Sequence, residues 1–323
     1  MSDTENNNVL LHDIVGRRET VLQEGKPLAC LQTETSIDHR EGDVYIVTYP
    51  KTGTTVLQYM CHLLRTKGTG TDFEDIHQVC PHTSSSWFID QDPNLPQPAP
   101  PRLFKSHREI QQVAPYALGV KYIATIRDPR DVLFSLYDFR AKRGQSQPDT
   151  VLGFAQSSLW SSSINTASGK TLYDHMATFW IGRKARNFLL LPYEDLVQDR
   201  AKWLRLIAEF IGVTISDELI NKISAMTSKE AMLVDVHKFD ESWVKARRDA
   251  LGRVNQGVGD KLAPKVRDNV DQKLGKAQSD EELAALEEIH RKLWCEKVST
   301  LTGVSSYEEM RGLLLAQHFP QDR

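Results

Sequence analysis

The sequence predicts an α/β fold, a single parallel β-sheet flanked by helices. Two apolar runs, 44–47 and 120–126, are short and rich in β-branched and aromatic residues, so they read as buried strands. Segments with apolar residues at helical spacing lie between these runs and a third, 188–192. Strands that alternate with helices pair in parallel, because each helix returns the chain to the same end of the sheet. Ligands of such sheets bind beyond the carboxyl ends of the strands.

Taken in order, residues 1–42 read as a polar leader with a few apolar anchors, among them Val9, Leu10 and Ile14. The first strand is stopped by Pro50, which has no N–H to pair. Val56, Leu57, Met60, Leu63 and Leu64 then mark a helix. Residues 91–101 are rich in Pro and form an exposed connector or a lid. Residues 102–105 are a short strand running into Ser106-His107. After the strand at 120–126, Pro129 suits the first turn of a helix that carries Val132, Leu133, Leu136, Tyr137 and Phe139. Residues 151–160 form a short helix and 161–170 a loop. A helix over 171–187 precedes the strand at 188–192. Helices cover 200–211 and 216–226, and 239–272 is the least regular region. An amphipathic helix spans 279–300, and a short one spans 307–315. The whole reads as one domain over 1–323, with its core at about 43–262 and C-terminal helices over 263–323.

Composition excludes several classes. The net charge of −3 gives no general attraction to nucleic acid or to an anionic membrane, so an anionic ligand must be met by local charge. The four Cys (Cys30, Cys61, Cys80, Cys295) are scattered without a C-x-x-C, which argues against a zinc site or a disulfide framework and for a reducing compartment. The N-terminus is polar and acidic, unlike a signal peptide, and no run reaches the length of a membrane span. A cytoplasmic protein is expected, and its oligomeric state is open.

Four strand ends deliver polar residues to one rim: Lys51, Lys105 to His107, Arg127 and Tyr193. The first of them is an anion site by its chemistry. A strand, a turn holding Lys51-Thr52-Gly53-Thr54-Thr55, then a helix start presents free N–H groups and the positive end of a helix dipole. Gly53 lets the backbone approach a phosphate, Lys51 adds a full charge, and Thr54 and Thr55 add hydroxyls. A Gly-Thr-Thr is also an ordinary helix cap. The nucleoside-triphosphate P-loop has its Lys after the last Gly, whereas here Lys precedes Gly.

Tyr-Pro-Lys-Thr-Gly-Thr-Thr resembles the 5′-phosphosulfate loop of the soluble, cytosolic-type sulfotransferases. Arg127-Asp128-Pro129-Arg130-Asp131-Val132 with Ser135 resembles the 3′-phosphate motif of the same family. The resemblance runs from about residue 45 to 260. It implies a P-loop-like sulfotransferase fold and a donor, 3′-phosphoadenosine 5′-phosphosulfate (PAPS), which leaves as PAP. It implies no metal. Lys105-Ser106-His107 resembles the segment that supplies the family's general base, so His107 takes that role by implication, with Lys51 and Lys105 stabilising the leaving phosphate. Donor contacts are implied for Lys51 to Thr55, Arg127, Ser135, Tyr193 and Thr227. The family's last phosphate motif is degraded here, leaving Arg253 and Gly257 as its candidates. The usual Trp of the first loop is Val56. The family's dimer motif is not convincing over 261–270.

The resemblance implies sulfuryl transfer to a hydroxyl, or an amine, of a small molecule. The residues leave two other classes open: another P-loop-like transferase such as a small-molecule kinase, and a nucleotide-binding protein without turnover. Dehydration through an unstable sulfate ester also stays open. Trp87, Phe88, Tyr137, Phe139 and Trp160 are candidate walls for the acceptor, and the Pro-rich connector and residues 157–163 candidate lids. His175 reads as structural or substrate-lining.

Overall fold

The computed structural model describes residues 37–110, 113, 119–161, 170–253, 261–267, 274–275 and 278–320. The expected leader at 1–36, most of the loop at 161–170 and Gly257 lie outside the described residues. Four parallel strands form one sheet in the order β2-β1-β3-β4, with β1 at Val44–Val47, β2 at Leu103–Ser106, β3 at Lys121–Ile126 and β4 at Phe188–Pro192. β1 therefore sits between β2 and β3, and the chain leaves β1 towards β2 on one side and β3 towards β4 on the other. The rim beyond β1 and β3 is the topological switch point, where an open sheet of this kind leaves a crevice.

Alternate residues of each strand feed opposite faces. Tyr45, Val47, Phe104, Tyr122, Ala124 and Leu190 join one core cluster, and Val44, Ile46, Leu103, Ile123, Leu189 and Leu191 the other. Both faces are covered, which is why the strands are apolar throughout rather than alternating. Helix α1 (Thr54–Arg65) lies on the second face, α2 (Pro129–Lys142) and α3 (Leu172–Gly182) on the first. α4 (Tyr193–Gln198) leaves β4 directly, and α5 (Arg200–Ile211) and α6 (Asp217–Met226) join α1 on the second face. α7 (Ser242–Ala250) stands over the rim, while α8 (Asp280–Trp294) and α9 (Tyr307–His318) close the first face through Leu286, Trp294, Met310 and Leu314. None of the described helices is long and apolar enough to cross a membrane.

The helix starts follow local chemistry. Asp128 accepts a hydrogen bond from Arg130 N at the start of α2, with Pro129 in the first turn. Thr171 and Asp174 form a reciprocal capping box on α3, and Ser216 caps α6.

Three expectations need correcting. α3 ends at Gly182 rather than near 187, because Arg183 bonds back to the Trp180 carbonyl and the chain turns there to begin β4. The helix expected over 279–300 is α-helical to Trp294 and then widens into a π turn over Cys295–Ser299. Within the irregular region, α7 is a helix whose mostly polar sequence carries only a weak apolar stripe. The Pro-rich connector is, as expected, mostly exposed or half-buried and without helix or strand, and it is anchored by Arg65, buried in α1, which donates to Gln97 Oε1 and to the carbonyls of Ala99 and Pro101.

The turn after β1 is set by Gly53, at φ +104°, where a Cβ would lie 2.3 Å from Tyr193 Cδ2 at the start of α4. Both the backbone angle and the contact exclude a side chain. Gly53→Ala is expected to cost about 1–3 kcal/mol of stability, measured by urea unfolding. An unchanged midpoint would show that the Tyr193 ring moves aside freely.

Candidate active site

A cavity of about 1010 Å³ opens at the carboxyl edge of the sheet. Twelve Lys and Arg side chains line it against two carboxylates, Glu230 and Glu241. In a chain of net charge −3, this concentration marks a site for a polyanion.

The loop after β1 forms its floor. Gly53 precedes α1 without a side chain to cap it, and no acidic residue stands in the first turn, so the helix start faces the cavity uncapped. Lys51 also has positive φ, at 70°, a conformation that L residues adopt at a cost. It carries its Nζ to 4.3 Å from the centre of the Phe139 ring. The three Thr divide their work. Thr52 Oγ1 donates to the Tyr49 carbonyl at 2.8 Å and lies 3.1 Å from Thr125 Oγ1, so it is a buried brace rather than part of the cavity wall. Thr54 Oγ1 is 2.6 Å from Thr48 Oγ1, and Thr54 and Thr55 both line the cavity.

Arg127, just past β3, donates to the Lys51 carbonyl at 3.0 Å and lies over the Tyr193 ring, with its carbon 4.8 Å from the centroid. One guanidinium thus joins the exits of β1, β3 and β4. Ser135, a turn into α2, faces the same space. Thr227 lines the cavity, although its hydroxyl is given to the Ile223 carbonyl. Arg253 stands apart: it bonds to the Trp87 carbonyl and is not among the lining residues.

The chemistry-bearing pair lies at the end of β2. His107 Nδ1 is 2.8 Å from the Thr48 carbonyl. A carbonyl oxygen only accepts, so Nδ1 carries the proton and Nε2 keeps its lone pair. Burial, with Lys105 beside it, holds the imidazole well below its ordinary pKa and so neutral at pH 7. Lys105 is buried as well, and desolvation, then Lys265, bring its pKa down to about 7.

Several lining residues carry no signal in the sequence. Lys265 pairs with Glu241 at 2.9 Å, and Arg143 reaches the same carboxylate at 2.6 Å. Burial alone pushes the Glu241 carboxyl up, but Lys265, His77 and Arg143 hold it well below its ordinary value. Arg267 donates to the Ser135 carbonyl at 3.1 Å and pairs with Asp138. The Lys-x-Arg of 265–267 was the available hint, but it falls in a stretch without periodicity. His82 lines the cavity next to His107, brought there only by tertiary pairing.

Of the expected acceptor walls, Phe88 and Phe139 line the cavity, whereas Trp160 is buried in the core and Trp87 is exposed at the surface. Tyr137 packs on the core against Phe154. His175 is fully buried between Tyr49 and Phe179, away from the cavity wall.

Comparison with known proteins matches residues 41–274 to a sulfotransferase domain family. Human Sulfotransferase 2A1 is 33% identical over 202 residues, 60% of this chain and 67% of that protein. Rat Sulfotransferase 2B1 is 33% identical over 207 residues, 62% of this chain and 58% of that protein. Two solved structures share the fold. A retinol dehydratase in complex with retinol and PAP superposes with a TM-score of 0.60 at 19% identity, covering 79% of this chain and 82% of its own. Mouse sulfotransferase SULT7A1 complexed with PAP gives a TM-score of 0.57 at 16% identity, covering 90% of this chain and 92% of its own.

Lys105 generates a prediction. With its pKa lowered from 10.5 to about 7, the folded protein releases a proton that the unfolded chain keeps, so this group makes stability rise as pH climbs from about 7 towards 10.5. An anion against Lys105 restores the charge, so binding takes up a proton near pH 7 and affinity weakens above it. Sulfate, which does not titrate there, is the probe: titration calorimetry in two buffers of different ionisation enthalpy should show net proton uptake. Lys105→Met should abolish that uptake and raise the unfolding midpoint. Uptake that survives the substitution would assign the proton to another group.

Proposed function

The chain belongs to the sulfotransferase domain family, and from that premise we propose that it moves the sulfuryl group of PAPS to a hydroxyl or amine of a small molecule. One observation carries the reading. His107 Nε2 has a lone pair at the cavity wall, fixed by the bond from Nδ1 to Thr48, beside Lys105 and across the rim from Lys51 and Arg127. A base, two cations for a leaving phosphate and a guanidinium for a second phosphate are the groups this transfer requires.

The roles follow from the positions. The acceptor's proton passes to His107 Nε2 as its lone pair attacks sulfur. The bond from sulfur to the bridging oxygen breaks, and the electron pair leaves on the 5′-phosphate of PAP. Lys51, the uncapped start of α1 and Lys105 balance that charge. Lys105, brought to a pKa of about 7 by burial and Lys265, becomes fully charged once the donor is present. Arg127 and Ser135 would hold the 3′-phosphate, with Arg267 adding the guanidinium that Arg253, bonded at Trp87, does not bring. Tyr193, Thr227 and the start of α1 would line the donor's remaining length. Both solved complexes contain PAP, the desulfated form of the donor, which supports this reading.

Titration calorimetry with PAP beside ATP–magnesium tests the donor. PAP is expected to bind, with Arg127→Ala and Arg267→Ala each weakening it by about tenfold or more. His107→Ala should lower transfer by about 10²–10⁴-fold while PAP affinity stays within a few-fold. ATP bound in place of PAP would overturn the donor, and near-normal turnover without His107 would remove the base.

A further inference from the structure

Two imidazoles share the wall of the cavity. The rings of His82 and His107 lie 5.6 Å apart between centroids and cross at 70°. His82 is not carried by a regular element. Lys105 N donates to the Pro81 carbonyl and Thr83 N to the Lys105 carbonyl, both at 2.8 Å, so residues 81–83 extend the sheet outside β2. Ser86 Oγ then donates to the His82 carbonyl at 2.7 Å. The backbone at His82 is therefore held as firmly as that of a strand residue.

The tautomers of the two rings are opposite. His82 Nδ1 is 3.2 Å from the backbone N of Ser84 and 3.0 Å from its Oγ. A backbone N–H only donates, so Nδ1 is the acceptor and, in the neutral ring, Nε2 carries the proton. In His107 the proton is on Nδ1 and Nε2 is bare. Among the described residues neither Nε2 has a protein hydrogen-bond partner. Desolvation, with Lys105 next in effect, keeps both rings neutral. The same two factors disfavour a cation between them, so the pair is not a metal site in waiting.

One N–H donor and one lone pair, on rings 5.6 Å apart that both line the cavity, fit a single chemical group. A hydroxyl oxygen gives its proton to His107, attacks sulfur with one lone pair and has a second lone pair left to accept from His82. An amine nitrogen has only one lone pair. Once that is committed to sulfur, His82 N–H faces no acceptor. We propose that His82 is a positioning residue that holds the acceptor oxygen through its Nε2–H and so makes the site select a hydroxyl over an amine. The proposal rests on the sulfuryl-transfer reading above. A buried donor left without a partner lowers the rate for the wrong acceptor by roughly one to two orders of magnitude.

The test pairs acceptors of one carbon skeleton, 2-naphthol against 2-naphthylamine and a panel of other matched aryl alcohols and amines, with PAPS and the full chain. O-sulfate is expected to exceed N-sulfate by at least tenfold. His82→Phe removes the unpaired donor, so it should raise kcat/KM for the amines about 10–100-fold and change the alcohols only a few-fold, bringing the ratio towards one. His82→Gln, whose amide can donate, should recover part of the preference. Equal use of amines by the unsubstituted protein, or an equal loss for both classes in His82→Phe, would overturn the proposal. Nitrogen-15 spectra of the imidazoles test it without any acceptor: His82 protonated on Nδ1 would also overturn it. PAP binding separates the two levels. Its absence would sink the sulfuryl-transfer reading, whereas PAP binding with an unchanged acceptor ratio in His82→Phe would sink only the role of His82.

Discussion

The hydrogen bond from His107 Nδ1 to the Thr48 carbonyl exists because β1 and β2 run parallel and in register, Val47 opposite Ser106. The two strands end abreast, so the first residue past each can meet across the rim. From the same arrangement come the tautomer of His107 and the placement of Lys105 beside it. The pairing of β3 on the other side of β1 brings Arg127 to the Lys51 carbonyl. A shift of one residue along either ladder would turn each of these side chains to the opposite face of the sheet. The register, set by two buried apolar faces, is therefore also the specification of the site.

That arrangement works against stability. It gathers cations at one edge and buries some of them, which disfavours their charged forms. Lys105 responds by releasing its proton near pH 7. Lys265 and Arg143 are instead balanced by Glu241, itself in the left-handed region at φ 67°. Strained backbone at Lys51 and Glu241, on opposite sides of the cavity, is the same kind of cost. These two residues line the cavity, whereas Lys67 and Asp90, also at positive φ, do not. An anion in the cavity would relieve the repulsion among the cations, so anion binding stabilises the fold.

The strands and most helix starts were legible because they depend on local chemistry: β-branched runs, Pro129 at a first turn, Ser and Thr caps. Lys51, Gly53, Arg127 and His107 were legible because each follows a strand directly, and strand ends converge in a parallel sheet. His82, Lys265, Glu241 and Arg267 were not. They sit on segments without periodicity, and only long-range pairing brings them to the rim: Pro81 and Thr83 against Lys105, and Glu241 against Arg143 and Lys265. α7 escaped for a related reason, since a helix standing over a polar cavity carries little apolar surface. Thr52 shows the converse. Its place in the loop suggested a ligand contact, yet the hydroxyl is used to brace the loop against Thr125.

The degraded motif at 253–260 makes the same point about charge. The 3′-phosphate proposed beside Ser135 would need a guanidinium at hydrogen-bond distance, and electrostatics does not specify which chain position supplies it. Arg253 bonds to the Trp87 carbonyl, while Arg267 reaches the Ser135 carbonyl and has its guanidinium carbon 5.9 Å from the centre of the Phe139 ring. Asp138 holds the same guanidinium. Five N–H donors in a fixed fork can serve a carboxylate on one edge and a phosphate on the other. Asp138 then orients Arg267 before any ligand arrives, and the cost of ordering that long side chain is met in folding rather than in binding.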